Sequence, residues 1–126
     1  MIKNVKNVLL ITVMGFTAAW TSVASAGSTY VTVKIETIAI IGIAPAVVTG
    51  HKVGNMELKI KDGFSPSGVS CSHDYLTTLK TVDPDRVMLS LLRDAYNSNR
   101  EVTLAITDDA KYTAYSGRCS VIGVIE

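Results

Sequence analysis

Apolar and polar side chains alternate over residues 30–36, with Val31, Val33 and Ile35 on one face and polar residues between them. A period of two is typical of a β-strand with one buried face. After Thr37 the apolar side chains move from odd to even positions. This change of phase predicts a bulge or a sharp bend in the first strand.

Further short strands are predicted by the same pattern, with turns between them. Asp62-Gly63 is a common turn dipeptide, and residues 65–68 extend it into a polar loop. Asp108 and Asp109 lie between two apolar segments, so we interpret them as a turn rather than as paired catalytic carboxylates. The predicted strands cover residues 47–53, 56–61, 101–106, 111–115 and 119–125.

One segment has helical periodicity. Asp83 is a favourable N-cap, Pro84 suits the first helical position, and Asp85 complements the positive end of the helix dipole. Residues 97–99 predict its end, after about four turns. Leu89 is expected to lie off the centre of the buried stripe, as is Tyr96. The stripe is expected to contain Val87, Met88, Leu91, Leu92 and Ala95.

The predicted fold class is mainly β with one helix. Several strands, one helix and two or three further strands fit a small antiparallel β-barrel packed on a single central α-helix. The leading candidate is the oligonucleotide- or oligosaccharide-binding (OB) fold, a closed barrel. An open α+β sandwich is the alternative.

The first 26 residues form a separate predicted segment. A basic head with Lys3 and Lys6 precedes an apolar stretch over 8–20, and residues 24–26, Ala-Ser-Ala, have the small-x-small pattern of a cleavage site. The apolar stretch is shorter than the ~20 residues of a membrane span. We therefore expect residues 1–26 to be a secretory signal peptide. Residues 27–126 would be one soluble domain, exported to the periplasm and then secreted.

Cys71 and Cys119 are the two cysteines of the sequence. In a small exported domain, an even pair most simply forms one disulfide. The alternative is a metal site with His51 and His73 as further ligands, but the spacings fit no zinc pattern. We therefore predict a disulfide and no metal site.

Charge and motifs argue against several classes of function. The sequence has twelve Lys and Arg residues and eleven Asp and Glu residues, and no run of basic residues follows the leader. Nucleic acid is therefore not an expected partner. The sequence lacks a Gly-rich phosphate loop, a His-Glu-x-x-His helix and a G-x-S-x-G elbow. His51 and His73 lie in polar loops without an evident nucleophile. We expect no catalytic residue and no cofactor, and hence no enzyme.

Several segments resemble the B subunits of pertussis-like AB-type bacterial toxins, which have one A and five B subunits. Residues 30–34, Tyr-Val-Thr-Val-Lys, look like the first strand of such a subunit, and 84–89, Pro-Asp-Arg-Val-Met-Leu, look like the start of its helix. One cysteine before the helix and one in the last strand match a disulfide common in this branch. The end of the helix over 93–96, followed by a strand at 102–104, also fits the helix-to-strand junction of these subunits. The likeness spans most of residues 28–126, although many relatives carry further cysteines.

This resemblance implies a homopentameric OB-fold subunit with two tasks. The ring would hold a catalytic A subunit, an ADP-ribosyltransferase or another enzyme, through its central pore. It would also bind host-cell glycans, often sialylated, on glycoproteins or gangliosides. The helix flank opposite the apolar stripe would line the pore, although an ordinary solvated helix face explains the same residues equally well. The pore-facing candidates are Leu89, Ser90, Arg93 and Asn97.

The glycan site implied by the resemblance combines the start of the first strand with the hairpin before the first cysteine. Sialic acid needs a cation or backbone donors, hydroxyl partners and an apolar platform. A basic residue that relatives place after the helix falls near Thr103 and is lost, and the domain without its leader has no Trp for stacking a sugar. A second polar-aromatic group has an ordinary barrel rim as its alternative explanation. The first group contains Ser28, Thr29, Tyr30, Lys59, Lys61, Ser65 and Ser67, and the second Tyr112, Tyr115, Ser116 and Arg118.

Two other functions are compatible with the sequence. One is a stand-alone periplasmic OB-fold module, structural or ligand-binding, without an A partner. The other is a small secreted hydrolase, which would need His51 or His73 in a pocket beside a nucleophile.

Overall fold

The computed structural model describes residues 26–42, 52–114 and 117–126. Apart from Ala26, the predicted signal peptide lies outside the described residues, as does most of the strand predicted over 47–53. Within the described ranges the chain forms six strands and one helix. They are β1 (Ser28–Val33), β2 (Ile35–Ile40), β3 (Met56–Ile60), β4 (Tyr75–Thr78), α1 (Val87–Asn97), β5 (Val102–Thr107) and β6 (Cys119–Ile125).

These strands form one mixed sheet in the order β1-β5-β6-β4-β3-β2. Neighbouring strands are antiparallel except β4 and β6, which are parallel. A mainly β domain with one helix is therefore confirmed, whereas the prediction of a wholly antiparallel sheet is wrong at the β4–β6 pair. β4 has no counterpart in the sequence prediction. Its adjacent residues Thr77 and Thr78 are both buried, so this short strand lacks alternation.

The first alternating segment is confirmed, with Val33 and Ile35 buried on its inner face. Lys34 separates β1 from β2. The register of β2 against β3 shifts between Ile35 and Thr37, which confirms the predicted bulge. β1 pairs with β5 and β2 pairs with β3, although a single residue lies between them.

Helix α1 begins three residues later than predicted. Residues 83–86 form a turn in which the Arg86 amide donates to the Asp83 carbonyl at 3.1 Å. Arg86 then adopts a left-handed conformation, with φ 59°, which stops the helix from extending backwards. The N-cap position is Arg86 rather than the predicted Asp83, but the Asp83 carboxylate still caps the first turn, because it accepts the amides of Met88 and Leu89 at 3.1 and 3.0 Å. Asp85 lies before the first turn, so its predicted role at the helix dipole is wrong.

The end of α1 is confirmed. Asn99 adopts φ 52°, and its amide donates to the Tyr96 carbonyl while the Arg100 amide donates to the Ala95 carbonyl. This is the Schellman arrangement, which satisfies carbonyls of the last turn.

The buried face of α1 differs from the predicted stripe. Leu89, Leu92 and Ala95 are buried, whereas Val87 is 62% exposed. Nearly every residue over 87–92 is apolar, so periodicity alone did not determine the centre of the buried face. The helix packs against β2 and β6, and that packing selects Leu89 over Val87.

The core is built mainly from aliphatic side chains of the sheet and of helix α1. The most deeply buried are Met56, Leu58, Ile60, Leu76, Leu92, Leu104, Ile106 and Val121. Phe64, from the loop after β3, is also buried against them. No helix among the described residues is long and apolar enough to cross a membrane.

The strand predicted over 111–115 is wrong for residues 111–114, which form a turn and an irregular segment. The Tyr112 amide donates to the Asp109 carbonyl, and the Asp109 carboxylate accepts the Lys111 amide at 3.0 Å. Such local bonds from an Asp side chain compete with strand pairing. The same bonds confirm that Asp109 belongs to a turn.

The predicted disulfide between Cys71 and Cys119 is confirmed, with a Cα–Cα distance of 5.4 Å. It ties the loop between β3 and β4 to the first residue of β6. Cys119 is fully buried beneath this loop.

We expect Asp83→Ala to lower the free energy of unfolding by about 1–3 kcal/mol, because two helix amides lose a buried acceptor. Asp85→Ala is the matched control, since Asp85 is exposed and outside the helix; we expect a change within about 0.5 kcal/mol. Urea unfolding followed by circular dichroism measures both. Equal losses in the two variants would contradict the capping role of Asp83.

We expect the Cys71→Ala/Cys119→Ala double variant to lose up to about 4 kcal/mol of stability, the value for a closed loop of this length in the chain-entropy model. Reduction of the unmodified protein should reproduce most of this loss in urea unfolding. An unchanged midpoint after reduction would show that the bridge does not constrain the unfolded chain.

Candidate functional site

The start of β1 is exposed and polar. Ser28 pairs with Thr107 and Tyr30 with Ala105 across β5. Tyr30 is 68% exposed, so its ring is available as an apolar platform for a ligand. Thr29 is half-buried.

The loop over 61–74 folds back over the start of β1. Gly27 lies so close to Gly68 that a Cβ on Gly27 would be 2.0 Å from the Gly68 carbonyl oxygen. Ser28 and Ser67 each adjoin one of these glycines, and Ser65 lies in the same exposed loop. The structure therefore brings Ser28, Ser65 and Ser67 to one end of the sheet.

Asp108 fastens this arrangement. Its Oδ1 accepts the Gly27 amide at 2.7 Å and its Oδ2 accepts the Ser70 amide at 2.8 Å. The amides of Ser70 and Gly27 hold the pKa of Asp108 below its usual range. Asp109 begins a local turn, whereas Asp108 bonds to two distant segments, so the interpretation of the pair as a turn is confirmed for Asp109 only.

The two predicted lysines lie elsewhere, where β1 meets β2. Lys59 is on β3 opposite Thr37, and the Lys61 amide donates to the Lys34 carbonyl at 2.8 Å. Tyr30 is four residues from Lys34, about 13 Å along an extended strand. The structure thus separates the predicted glycan residues into a hydroxyl-rich group at the start of β1 and two lysines on and just after β3, near the junction of β1 and β2.

Lys59 and Lys61 differ in their surroundings. Lys59 Nζ is 3.1 Å from Glu36 Oε1, and the hydrogen bond and charge of Glu36 raise the pKa of Lys59. Lys61 is exposed, and it makes no ion pair with residues of the described ranges. Lys61 is therefore better placed to meet an incoming carboxylate.

A cluster of Glu57, Tyr75 and Arg118 lies on the outer side of β3 and β4. Arg118 forms a half-buried ion pair with Glu57, and its guanidinium carbon is 4.4 Å from the centre of the Tyr75 ring. Lys59 pairs with Tyr75 across the two strands. The sequence did not predict this cluster, because β4 was not predicted and Tyr75 lies on β4.

The second predicted polar-aromatic group is divided. Tyr115 and Ser116 lie outside the described residues. Arg118 stacks on Tyr75, whereas Tyr112 lies 5.3 Å from Lys111 Nζ. The contacts of the described members therefore give no joint site for Tyr112 and Arg118.

The pore-facing candidates on α1 are also divided. Ser90, Arg93 and Asn97 are exposed and lie three and four residues apart, on one side of the helix. Leu89 is 6% exposed and belongs to the core, so its expected position on an outer flank is wrong. The sequence did not predict this position, because the apolar run over 87–92 does not show which side of the helix faces the sheet.

His73 is exposed, and its Nδ1 lies 3.0 Å from the Phe64 carbonyl, which places it as a support of the 61–74 loop. His51 lies outside the described residues. Within those residues, no group of three or more His, Cys, Asp or Glu side chains is arranged to hold a metal ion.

The chain matches no protein-family model, no curated protein and no solved structure.

We expect Arg118→Met to lower the free energy of unfolding by about 1–3 kcal/mol, because it removes the cation beside a half-buried carboxylate and the stacking on Tyr75. Arg100→Met is the matched control. Its pair with Glu126 is more than 40% exposed on both sides, so we expect a change within about 0.5 kcal/mol. Thermal unfolding of both variants measures this difference. Indistinguishable variants would show that the cluster is no more than a surface pair.

Proposed function

We propose that the sheet closes into a barrel of the OB type. The two ends of the strand order, β1 and β2, are consecutive in the chain with Lys34 between them. If β1 and β2 are counted as one bent strand, every strand has a partner on both sides. Closure of this kind leaves no open edge to aggregate.

The position of the helix supports this proposal. α1 connects β4 to β5, and it packs against β2 and β6, which lie in different halves of the strand order. Leu89, Leu92 and Ala95 enter the same core as both halves. One helix that reaches both halves suits a barrel with one covered end better than an open sandwich.

We propose on this basis that the protein is the receptor-binding B subunit of a pertussis-like AB-type toxin. The topology supports the proposal, because the segments that resemble such a subunit lie in a strand, at the start of a helix and at a disulfide. Residues 30–34 run from β1 to the bend, 84–89 enter α1, and the disulfide joins the loop before the helix to the last strand. In this proposal the chain is exported, needs no cofactor and is not itself an enzyme.

Five copies would form the ring, and a catalytic A subunit would be held at its pore. The exposed side of α1 with Ser90, Arg93 and Asn97 offers hydroxyl, cationic and amide groups for such a contact. Leu89 is excluded from this surface by its burial.

The glycan ligand follows from the groups at the start of β1 and along the β1–β2 bend. Exposed hydroxyls at Ser28, Ser65 and Ser67 suit the hydroxyl groups of a sugar, and Tyr30 suits its apolar face. Lys61 suits the carboxylate of sialic acid. The separation along the strand fits a glycan of more than one sugar, with the sialic acid near Lys61 and the next sugar towards Tyr30.

We expect the exported product to have a light-scattering mass of about five protomers and to bind sialylated glycans on an array. Lys61→Ala should weaken this binding about tenfold or more, because it removes the cation for the carboxylate. Lys80→Ala is the matched control, an exposed lysine beyond the other end of β3, next to Gly54. It should bind as the unmodified protein does.

The outcomes separate the parts of the proposal. A monomer that binds no glycan would overturn it in favour of a stand-alone periplasmic module. A pentamer that binds glycans equally with and without Lys61 would keep the ring and reject the assigned site.

A further inference from the structure

Gly27, the residue directly before β1, makes three hydrogen bonds to Thr107 and Asp108 at the end of β5. Its amide nitrogen lies 2.7 Å from Asp108 Oδ1. Its carbonyl accepts the Thr107 hydroxyl at 2.7 Å and the Asp108 amide at 3.3 Å. Strand ends commonly fray unless such bonds hold them.

The site also requires glycine. A Cβ at residue 27 would lie 2.0 Å from the Gly68 carbonyl oxygen, a backbone atom that cannot move aside alone. Ala26 is exposed, whereas Gly27 is half-buried. The small-x-small segment 24–26 ends at this point.

We propose that hydrolysis of the Ala26–Gly27 bond creates an ammonium group on Gly27 that forms a salt bridge with Asp108 and thereby fastens the loop over 65–70. The proposal rests on removal of the leader and is independent of the pentamer and of the glycan. A signal peptidase and one water molecule cleave the peptide bond. Ala26 gains a carboxylate, and the amine released on Gly27 takes up a proton.

Cleavage changes the strength of an existing contact. Before cleavage, a neutral amide donates one hydrogen bond to Asp108; afterwards, a cation with three N–H donors stands at the same position. Hydrogen bonds between opposite charges are roughly twice as strong as neutral ones. Because the other Asp108 oxygen accepts the Ser70 amide at 2.8 Å, the new charge pair also stabilises the loop that carries Ser65 and Ser67.

The test begins with the full-length chain, exported by a bacterial host. Intact mass should show a product that begins at Gly27. The Gly27 Cα chemical shift, followed against pH, should give an α-amino pKa about one unit above the ordinary ~7.7–8.0, since a neighbouring carboxylate favours the ammonium form. In Asp108→Asn this pKa should return to the ordinary range, and the Ser70 amide should exchange its hydrogen faster.

Asp109→Asn is the matched control, because Asp109 is the adjacent carboxylate and bonds to Lys111 instead. It should leave the raised pKa unchanged. A variant whose cleaved product carries one extra residue before Gly27 displaces the ammonium by about 3.8 Å and should also speed the hydrogen exchange of the Ser70 amide. A product that begins elsewhere, an ordinary α-amino pKa in the unmodified protein, or an equal effect of Asp109→Asn would each overturn the proposal.

Discussion

The fold depends on a short seam of two paired positions between the parallel strands β4 and β6. Leu76 faces Cys119 and Thr77 faces Ser120. This seam joins two antiparallel halves, one with β1, β5 and β6 and the other with β2, β3 and β4. Parallel pairing this short is weak by itself, so the surrounding contacts must hold the halves together.

Three kinds of contact reinforce the seam. The Thr77 hydroxyl donates to the Cys119 carbonyl at 3.5 Å, and the Thr78 hydroxyl, which is 2.8 Å from the Thr77 carbonyl, also lies 3.3 Å from the Val121 carbonyl. The disulfide begins at Cys119 itself, within the seam. Helix α1 packs on both halves, which places Asp83, the cap of that helix, among the residues on which the seam relies. Thr77 and Thr78 interrupt the apolar-polar alternation by which β4 could have been predicted. The same two side chains reinforce the seam.

The sequence predicted what local patterns determine. Alternation located β1, β3, β5 and β6, and the phase change at Thr37 located the bulge. The sequence prediction failed where the structure of a segment depends on an element that is distant in the chain. The centre of the buried helix face depends on the sheet beneath it, and β4 exists because β6 and β3 lie on either side of it.

Site prediction followed the same division. The resemblance implied Ser28, Tyr30 and Lys61 as glycan-binding candidates, and all three are exposed. Sequence patterns do not predict which residues lie next to each other in space. The pairing of Lys59 with Glu36 and the stacking of Arg118 on Tyr75 both arise from strand register.

The loop over 61–74 carries Ser65 and Ser67, two of the residues proposed to bind a glycan. Irregular loops of this length are uncommon in compact domains. This one is anchored by the burial of Phe64, the bond of its carbonyl to His73, the contact of Gly68 with Gly27, and the disulfide at Cys71. Anchors at intervals leave the short segment between them, with Ser65 and Ser67, exposed but restricted. A restricted surface loses less conformational entropy when a ligand binds, so the anchors of this loop, of which the disulfide also reinforces the seam, would favour the proposed glycan site.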